Sequence, residues 1–283
     1  MREHKHEHSI ARMAKVLKVS ESGYYKWLKR NDAPITDKER EDIALTEEIL
    51  KIYRKSRGSF GYRKITFILN KNRDIPVNHK RVARIMRECA LFSKVNRKYI
   101  CTTDSNHDEV IADNLLDRDF IATEPGQEFL SDTTVIDTAQ GKLYVAGILD
   151  LYGDMPVGMA MSLNNDRFLV MEAFKDMVIR GCARPGCIIH SDRGSTYCSQ
   201  DYRHLISQNE LICSMSKKGD CWDNAPMESF WGKMKSEWLL NKYQTIIEAK
   251  RDVYEYVWHF YPKERPHESF NYMTPEEFYN QEK

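Results

Sequence analysis

Apolar positions in the first third of the chain recur every three or four residues, the period of an α-helix with one buried face. Ile10, Met13, Ala14 and Leu17 form one such stripe. Ser20 is placed to cap a second short helix that packs through Tyr24, Trp27 and Leu28. The turn-rich run Asn31–Asp37 closes this segment. The helical period resumes at Ile43, Leu45, Ile49, Leu50 and Tyr53, then breaks at "SRGSFGYRK". Ile65, Ile68 and Leu69 mark the next helix. After the turn "RDIPVN", Val82, Ile85, Met86 and Leu91 mark another.

From Ser93 to Phe120 no period is sustained, as expected of an extended connection. Beyond it the pattern shortens to strand-like runs. "EFLSDTTVID", "KLYVAGILDLY" and "MPVGMAMSL" are three strand candidates, separated by "TAQGK" and "YGD". Asp166–Gly181 is a helix led by Asp and ended by Gly. "GCIIH" follows as a buried strand, "QDYRHLISQ" as a helix, "LICSMS" as a strand, and "APMESFWGKMKSEWLL" and "IIEAKRDVYEYVWHFY" as helices. This order predicts an α/β fold, one mixed sheet covered by helices, preceded by an all-α region. The domains implied are an N-terminal helical segment (1–36), a helix-turn-helix-like domain (37–95), a linker (96–122) and the α/β domain with its C-terminal helices (123–283).

Charge changes this picture. The net charge is only +1, yet the first 100 residues hold 25 Lys/Arg against 12 Asp/Glu, and the remainder is correspondingly acidic. Such a split suggests a part that grips a polyanion joined to a part that concentrates carboxylates, or simply two solvated surfaces of opposite sign. Lys80, Arg81, Arg84 and Arg87 lie on the last of the front helices, and Arg63 begins the one before it. Helix, turn, helix with a cationic last helix can enter a DNA groove, although a plain three-helix bundle looks similar. The N-terminus "MREHKHEHSI" lacks the apolar run of a signal peptide, and no stretch reaches the length of a membrane helix, so a cytoplasmic location is expected. Seven cysteines without a Cys-x-x-Cys fit a reduced compartment.

Three acids need a reason for their positions. Asp132 falls inside the first strand candidate, where an unpaired charge is costly. Asp192 follows the short strand "GCIIH", where an α/β sheet exposes functional groups. Glu228 lies on the helix after the last strand, seven positions before Lys235 and hence on the same helical face. Carboxylates from three separate elements can converge on hard divalent cations that also accept phosphate oxygens. His190 is either a ligand or a hydrogen-bonded strand residue, Arg193 either a DNA contact or the partner of an acid, and Asp150 a strand-end acid without assigned chemistry. Cys182, Cys187 and His190 lack a fourth ligand of zinc spacing, and His4, His6 and His8 are expected to be solvated. Lys217 and Lys218 occupy a loop suited to meeting phosphate. No G-x-x-x-x-G-K-[ST] loop is present, which disfavours a nucleotide-driven motor.

Together "LSDTTVID", "LYVAGILDLY", "HSDRGSTY" and "DNAPMESFWGKMKSE" resemble the catalytic core of insertion-sequence transposases of the OrfB type, relatives of retroviral integrases. The similarity extends through "ARMAKVLKVSESGYYKWLKR", "SFGYRKITFILN" and "YPKERPHESFNYMTPEEFY", covering nearly the whole chain. The family triad is Asp, Asp, Glu with 35 residues between the last two, and 35 residues separate Asp192 from Glu228. The resemblance implies an RNase H-like core using Mg²⁺ or Mn²⁺, two ions, to cut and join double-stranded DNA. Asp132, Asp192 and Glu228 would be the catalytic metal ligands and Lys235 a basic residue approaching DNA. It further implies a homo-oligomer in the active complex and an upstream OrfA partner. Phe60, Phe129, Thr133, Thr196 and Pro262 stand where the family commonly has Tyr, Trp, Ile, Gln and Asn. The alternatives are an RNase H-like nuclease that does not join strands, and a non-catalytic DNA-binding regulator.

Overall fold

The computed structural model describes residues 1–94, 112–217, 221–239 and 242–281. Most of the aperiodic connection, and Lys218, lie outside the described residues. Contacts divide the chain into two compact units, 1–51 and 52–283.

The first unit holds α1 (Ile10–Leu17), α2 (Glu21–Asn31) and most of α3 (Asp37–Lys55), which crosses the division. Ser9 and Ser20 cap α1 and α2 by accepting from the Arg12 and Gly23 amides. The apolar stripe expected on α1 is buried only at Ala14; Leu17 is exposed, and α2 buries no residue fully.

The second unit begins with α4 (Tyr62–Asn70) and α5 (His79–Glu88), which pack on each other through Ile65, Leu69, Val82, Ile85 and Met86. The α/β part follows: β1 (Glu128–Thr138), β2 (Gly141–Asp150), β3 (Met155–Ser162), α6 (Arg167–Ile179), β4 (Ile188–Ser191), α7 (Ser195–Cys198), α8 (Gln200–Gln208) and β5 (Ile212–Met215). Then come α9 (Ala225–Lys233), α10 (Ile246–Glu255), the short α11 (Tyr261–Lys263) and α12 (Pro275–Tyr279). The sheet order is β3-β2-β1-β4-β5. β1 to β3 form an antiparallel meander, while β4 and β5 run parallel to β1. This is the mixed sheet flanked by helices that the sequence predicts. The short α7 and α12 carry too few residues to show a helical period.

Two glycines let helices reach the sheet from opposite sides. A Cβ at Gly158 on β3 would stand 2.6 Å from the Ala173 carbonyl of α6, so the α6 backbone lies directly on the strand. A Cβ at Gly147 on β2 would stand 2.7 Å from the Trp231 ring of α9. The α6 face carries the main core, Phe129, Ile148, Val170, Phe174, Ile189, Tyr202 and Met215 among its members.

The single helices expected over 225–240 and 246–261 each widen near the end. α9 continues as a π turn, Met234–Trp238, and α10 as a π turn, Tyr256–Phe260. The aromatic side chains supply the reason: Trp238 stacks on Phe260 at 4.2 Å between centroids, and Phe230 meets Tyr261 edge-on at 4.7 Å.

The charge asymmetry is partly internal. Basic residues from the end of α3 through α4 meet acids of the C-terminal half: Lys55 with Glu264 at 2.8 Å, Arg57 with Asp252 at 2.7 Å, Lys64 with Glu237 at 4.0 Å, Arg63 with Glu268 at 3.9 Å, and Lys71 with Glu277. Phe60 stacks on Phe260 and Phe67 on Tyr272 along the same seam, each pair at 5.6 Å. A cavity of about 200 Å³ lies there, lined by Ile52, Phe60, Phe67, Phe260, Pro266 and Tyr272 among others.

Candidate active site

Strand register fixes the first two acids. Asp132 pairs with Gly147 across the antiparallel β1–β2 ladder, so both point to the face covered by α9. Ser131 pairs with Ser191 across the parallel β1–β4 ladder, and Asp192 is the next residue. Asp132 and Asp192 therefore occupy neighbouring positions where the two central strands leave their ladder. Glu228 sits in the first turn of α9, which opens with Pro226 and docks through Met227, Phe230 and Trp231.

The three acids act on one another. Burial pushes the Asp132 carboxyl well above its ordinary pKa. The Asp192 charge raises it next, then Glu228, while the Thr133 backbone and Lys235 oppose the rise. All three stay partly accessible. Lys235 is held below the ordinary lysine value by burial, against the pull of Asp132 and Asp137. It lies in the π turn, so the expected common helical face with Glu228 is replaced by a widened turn that still brings Lys235 within electrostatic reach of Asp132. Tyr197 lies beneath the two strands. Its hydroxyl is 3.1 Å from Ser131 Oγ, and burial, Asp132, Tyr202 and Asp192 push its pKa up.

Among the described residues, no group of three or more His, Cys, Asp or Glu side chains stands in ion-holding geometry. Asp192 Oδ1 accepts from the Gly194 amide at 2.9 Å, which turns it toward its own loop. The chemistry of the donor set nonetheless suits a hard cation: three carboxylates whose mutual repulsion a divalent ion would relieve.

The neighbouring candidates each make contacts within the fold. His190 Nδ1 lies 2.8 Å from Ser214 Oγ and Nε2 3.1 Å from Ser216 Oγ; burial lowers its pKa to about 4, so it is a neutral cross-strand link. Arg193 Nε donates to the Ser216 carbonyl. Asp150 is fully buried and accepts from the Gly126 and Tyr152 amides and the Tyr279 hydroxyl, with burial raising its pKa to about 6. Cys187 Sγ donates to the Arg184 carbonyl rather than meeting Cys182 and His190 at a common point. His4, His6 and His8 are exposed.

Among the basic candidates, Lys217 Nζ pairs with Asp117 at 2.7 Å. Arg63 leans on the Tyr62 hydroxyl, and Arg84 pairs with Glu88. Lys80 and Arg87 project from exposed positions of α5, and Arg81 is half-buried.

Sequence reasoning missed Asp223, a 1 % exposed carboxylate that accepts from Asn114 Nδ2, Arg118 Nε and the Lys217 amide. It ties the segment holding Asn114 and Arg118 to the loop before α9. It also missed the buried pair Glu237–Arg265, bonded through both oxygens at 2.6 and 2.7 Å. Only the position of Asp223 at the head of the Glu228 motif hinted at a role.

A sheet of this order, with Asp132 inside β1, Asp192 just past β4 and Glu228 on the covering helix, is that of an RNase H-like integrase core. Family profiles agree: an HTH-like domain matches residues 39–99, and an integrase core domain matches 122–221 and 209–275. A 31 kDa protein of insertion element IS600 from Shigella sonnei is 39 % identical over 94 % of this chain and 97 % of its own. The transposase InsF of insertion sequence IS3A from Escherichia coli (strain K12) is 32 % identical over 98 % of this chain and 96 % of its own. The chain belongs to this family of insertion-sequence transposases. The catalytic core domain of HTLV-2 integrase in complex with magnesium is similar at 12 % identity with a TM-score of 0.44, covering 56 % of this chain and 99 % of that one. No helix among the described residues is long and apolar enough to cross a membrane.

Proposed function

We propose that this chain is the DNA-cutting and DNA-joining subunit of an insertion sequence, with Asp132, Asp192 and Glu228 holding divalent cations, Mg²⁺ or Mn²⁺. The observation that carries the reading is the strand register, which sets Asp132 beside Asp192 on the face that the Glu228 helix covers. Cations bound there would neutralise charge at phosphorus and activate the attacking oxygen. The chain's own groups have simpler tasks. Gly147 admits Trp231 and so holds α9 against the strand bearing Asp132. The Gly194 amide steadies Asp192 through Oδ1. Lys235, close to Asp132 and half-buried, is placed to steady a nearby phosphate.

In the first reaction, a water oxygen forms a bond to phosphorus and the bridging bond to the 3′ oxygen breaks, leaving a 3′-hydroxyl. In the second, that hydroxyl oxygen attacks another phosphodiester and displaces its 3′ oxygen. Phosphodiester bonds are conserved in the joining step. Arg63, Lys80, Arg81, Arg84 and Arg87, on α4 and α5, are assigned to duplex DNA, as are Arg193, Lys217 and Lys218. The active complex would be a homo-oligomer, joined by an upstream OrfA product, acting in the cytoplasm.

The test is incubation with element-end duplex and Mg²⁺. Wild type should nick and then join, whereas Asp192→Asn should do neither. Nicking without joining would favour a nuclease, and wild-type activity in Asp192→Asn would remove that residue from the site.

A further inference from the structure

We propose that the interior of the second unit binds one small monovalent anion, of the chloride class, between Lys64, Lys233 and His267. The inference is independent of the strand chemistry. Lys233 ends α9 and lies about 140° round that helix from Glu228 at 3.6 residues per turn.

The charge balance of a buried cluster is the first observation. Arg265 donates to both oxygens of Glu237 at 2.6 and 2.7 Å, and Lys64 Nζ stands 4.0 Å from the same carboxylate. Lys233 faces Arg265, Asp154 and Glu237, yet it makes no ion pair with any described residue. Lys64, Lys233 and Arg265 against Glu237 and Asp154 leave one positive charge over, in a region where an uncompensated charge is costly. Glu268 also faces Lys64, but it is exposed and pairs with Arg63 at 3.9 Å. Burial, and next Arg265, hold Lys233 below the ordinary lysine value and bring Lys64 down to about 8. A negative charge beside them would relieve both.

The second observation is the histidine. His267 is 3 % exposed, and its Nε2 has no hydrogen-bond partner. Buried polar atoms are rarely left so. Tyr261 meets the ring edge-on at 4.9 Å and Phe270 stacks on it at 5.5 Å, which fixes its place. Burial, then Arg265, Lys233 and Lys64, keep the ring neutral, and a neutral imidazole can donate from Nε2. The Tyr256 hydroxyl, also buried and unpartnered, faces Arg265 and Glu237. The cavity of about 200 Å³ adjoins this cluster: its wall includes Phe60, whose ring lies 5.1 Å from Lys64 Nζ, and Pro266, between Arg265 and His267. One leftover positive charge calls for one negative charge, whereas a dianionic phosphate would reverse the imbalance. A DNA phosphodiester is too bulky to reach Arg265 and His267, which are buried.

The test uses the full chain without DNA. Crystals are exchanged from chloride into bromide, and anomalous scattering locates the ion. A bromide peak at hydrogen-bond distance from Lys233 Nζ and His267 Nε2 is expected. A water there, with no anomalous signal, overturns the proposal. In solution, melting is followed at fixed pH and ionic strength as chloride is replaced by gluconate, which is too large for the cluster. Wild type should lose about 3 °C, the shift for chloride held about tenfold above its Kd. Lys233→Met removes the leftover charge and should melt at the same temperature in both salts. An equal shift in wild type and variant reports a bulk salt effect and overturns the proposal, as does a wild type that does not respond. Should the variant fail to fold, the bromide peak and the wild-type shift decide between the outcomes.

Discussion

Replacing Arg265 by Met tests how the helix bearing Glu228 is held. Arg265 is 5 % exposed and Glu237 9 % exposed, and both guanidinium–carboxylate bonds are short. Glu237 belongs to the π turn that continues α9, two residues beyond Lys235. Burial alone would push the Glu237 carboxyl up, but the Arg265 hydrogen bonds and the charges of Arg265, Lys64 and Lys233 outweigh it and leave the pKa lowered. Removing one partner of such a pair costs about 3–5 kcal/mol, because a buried charge is left behind. The cost here should fall near 3 kcal/mol, since Lys64, 4.0 Å away, partly replaces the lost cation. Met fills most of the vacated space beside Tyr261. The double variant Glu237→Met/Arg265→Met should return to within about 1 kcal/mol of wild type. The assay is urea denaturation of the full chain at pH 7.5, followed by tryptophan fluorescence. The sign with pH is fixed: the pair's contribution is full above the ordinary glutamate value and is lost as pH falls through the lowered one. A single variant costing under 1 kcal/mol, or a double variant no better than the single, refutes the reasoning.

Other consequences are equally direct. Gly147→Ala should destabilise by about 1–3 kcal/mol through the clash with Trp231, and should slow nicking more than it weakens DNA binding, as read by denaturation and anisotropy on one preparation. His267 is buried with Nε2 unpartnered, and burial, with Arg265, Lys233 and Lys64, lowers its pKa to about 2. The unfolded chain protonates this histidine below about pH 6.5 and the folded chain does not, so stability falls as pH drops from there. His267→Phe should flatten that slope between pH 6.5 and 4 relative to wild type, as read from urea midpoints. Tyr279→Phe removes one of three donors to buried Asp150 and should cost about 1–2 kcal/mol at neutral pH.

Much of the architecture was legible because periods of two and near four separate cleanly in this chain. The five strands and α6, α8 and α10 fall where apolar spacing puts them. The π turns were not legible: they arise from Trp238 meeting Phe260 across two helices, and no local pattern encodes a contact between elements. The charge asymmetry was visible, but its meaning was incomplete. Part of the basic front half pairs with the acidic back half at Arg57–Asp252 and Lys64–Glu237, leaving Lys80 and Arg87 more open. For the candidate site, spacing drew attention to Asp132, Asp192 and Glu228, and the register gives the first two adjacent positions. Gly147 and Asp223 escaped notice because their importance lies in what approaches them, Trp231 in one case and three hydrogen-bond donors in the other.

The central claim is that Asp132, Asp192 and Glu228 serve one metal-dependent reaction. Its most direct measurement is nicking and joining of element-end DNA in Mg²⁺ by wild type, Asp132→Asn, Asp192→Asn and Glu228→Gln at matched DNA occupancy. Wild type should do both, and each variant should lose both while still binding the duplex. Joining at the wild-type rate by any one of the three would contradict the shared site.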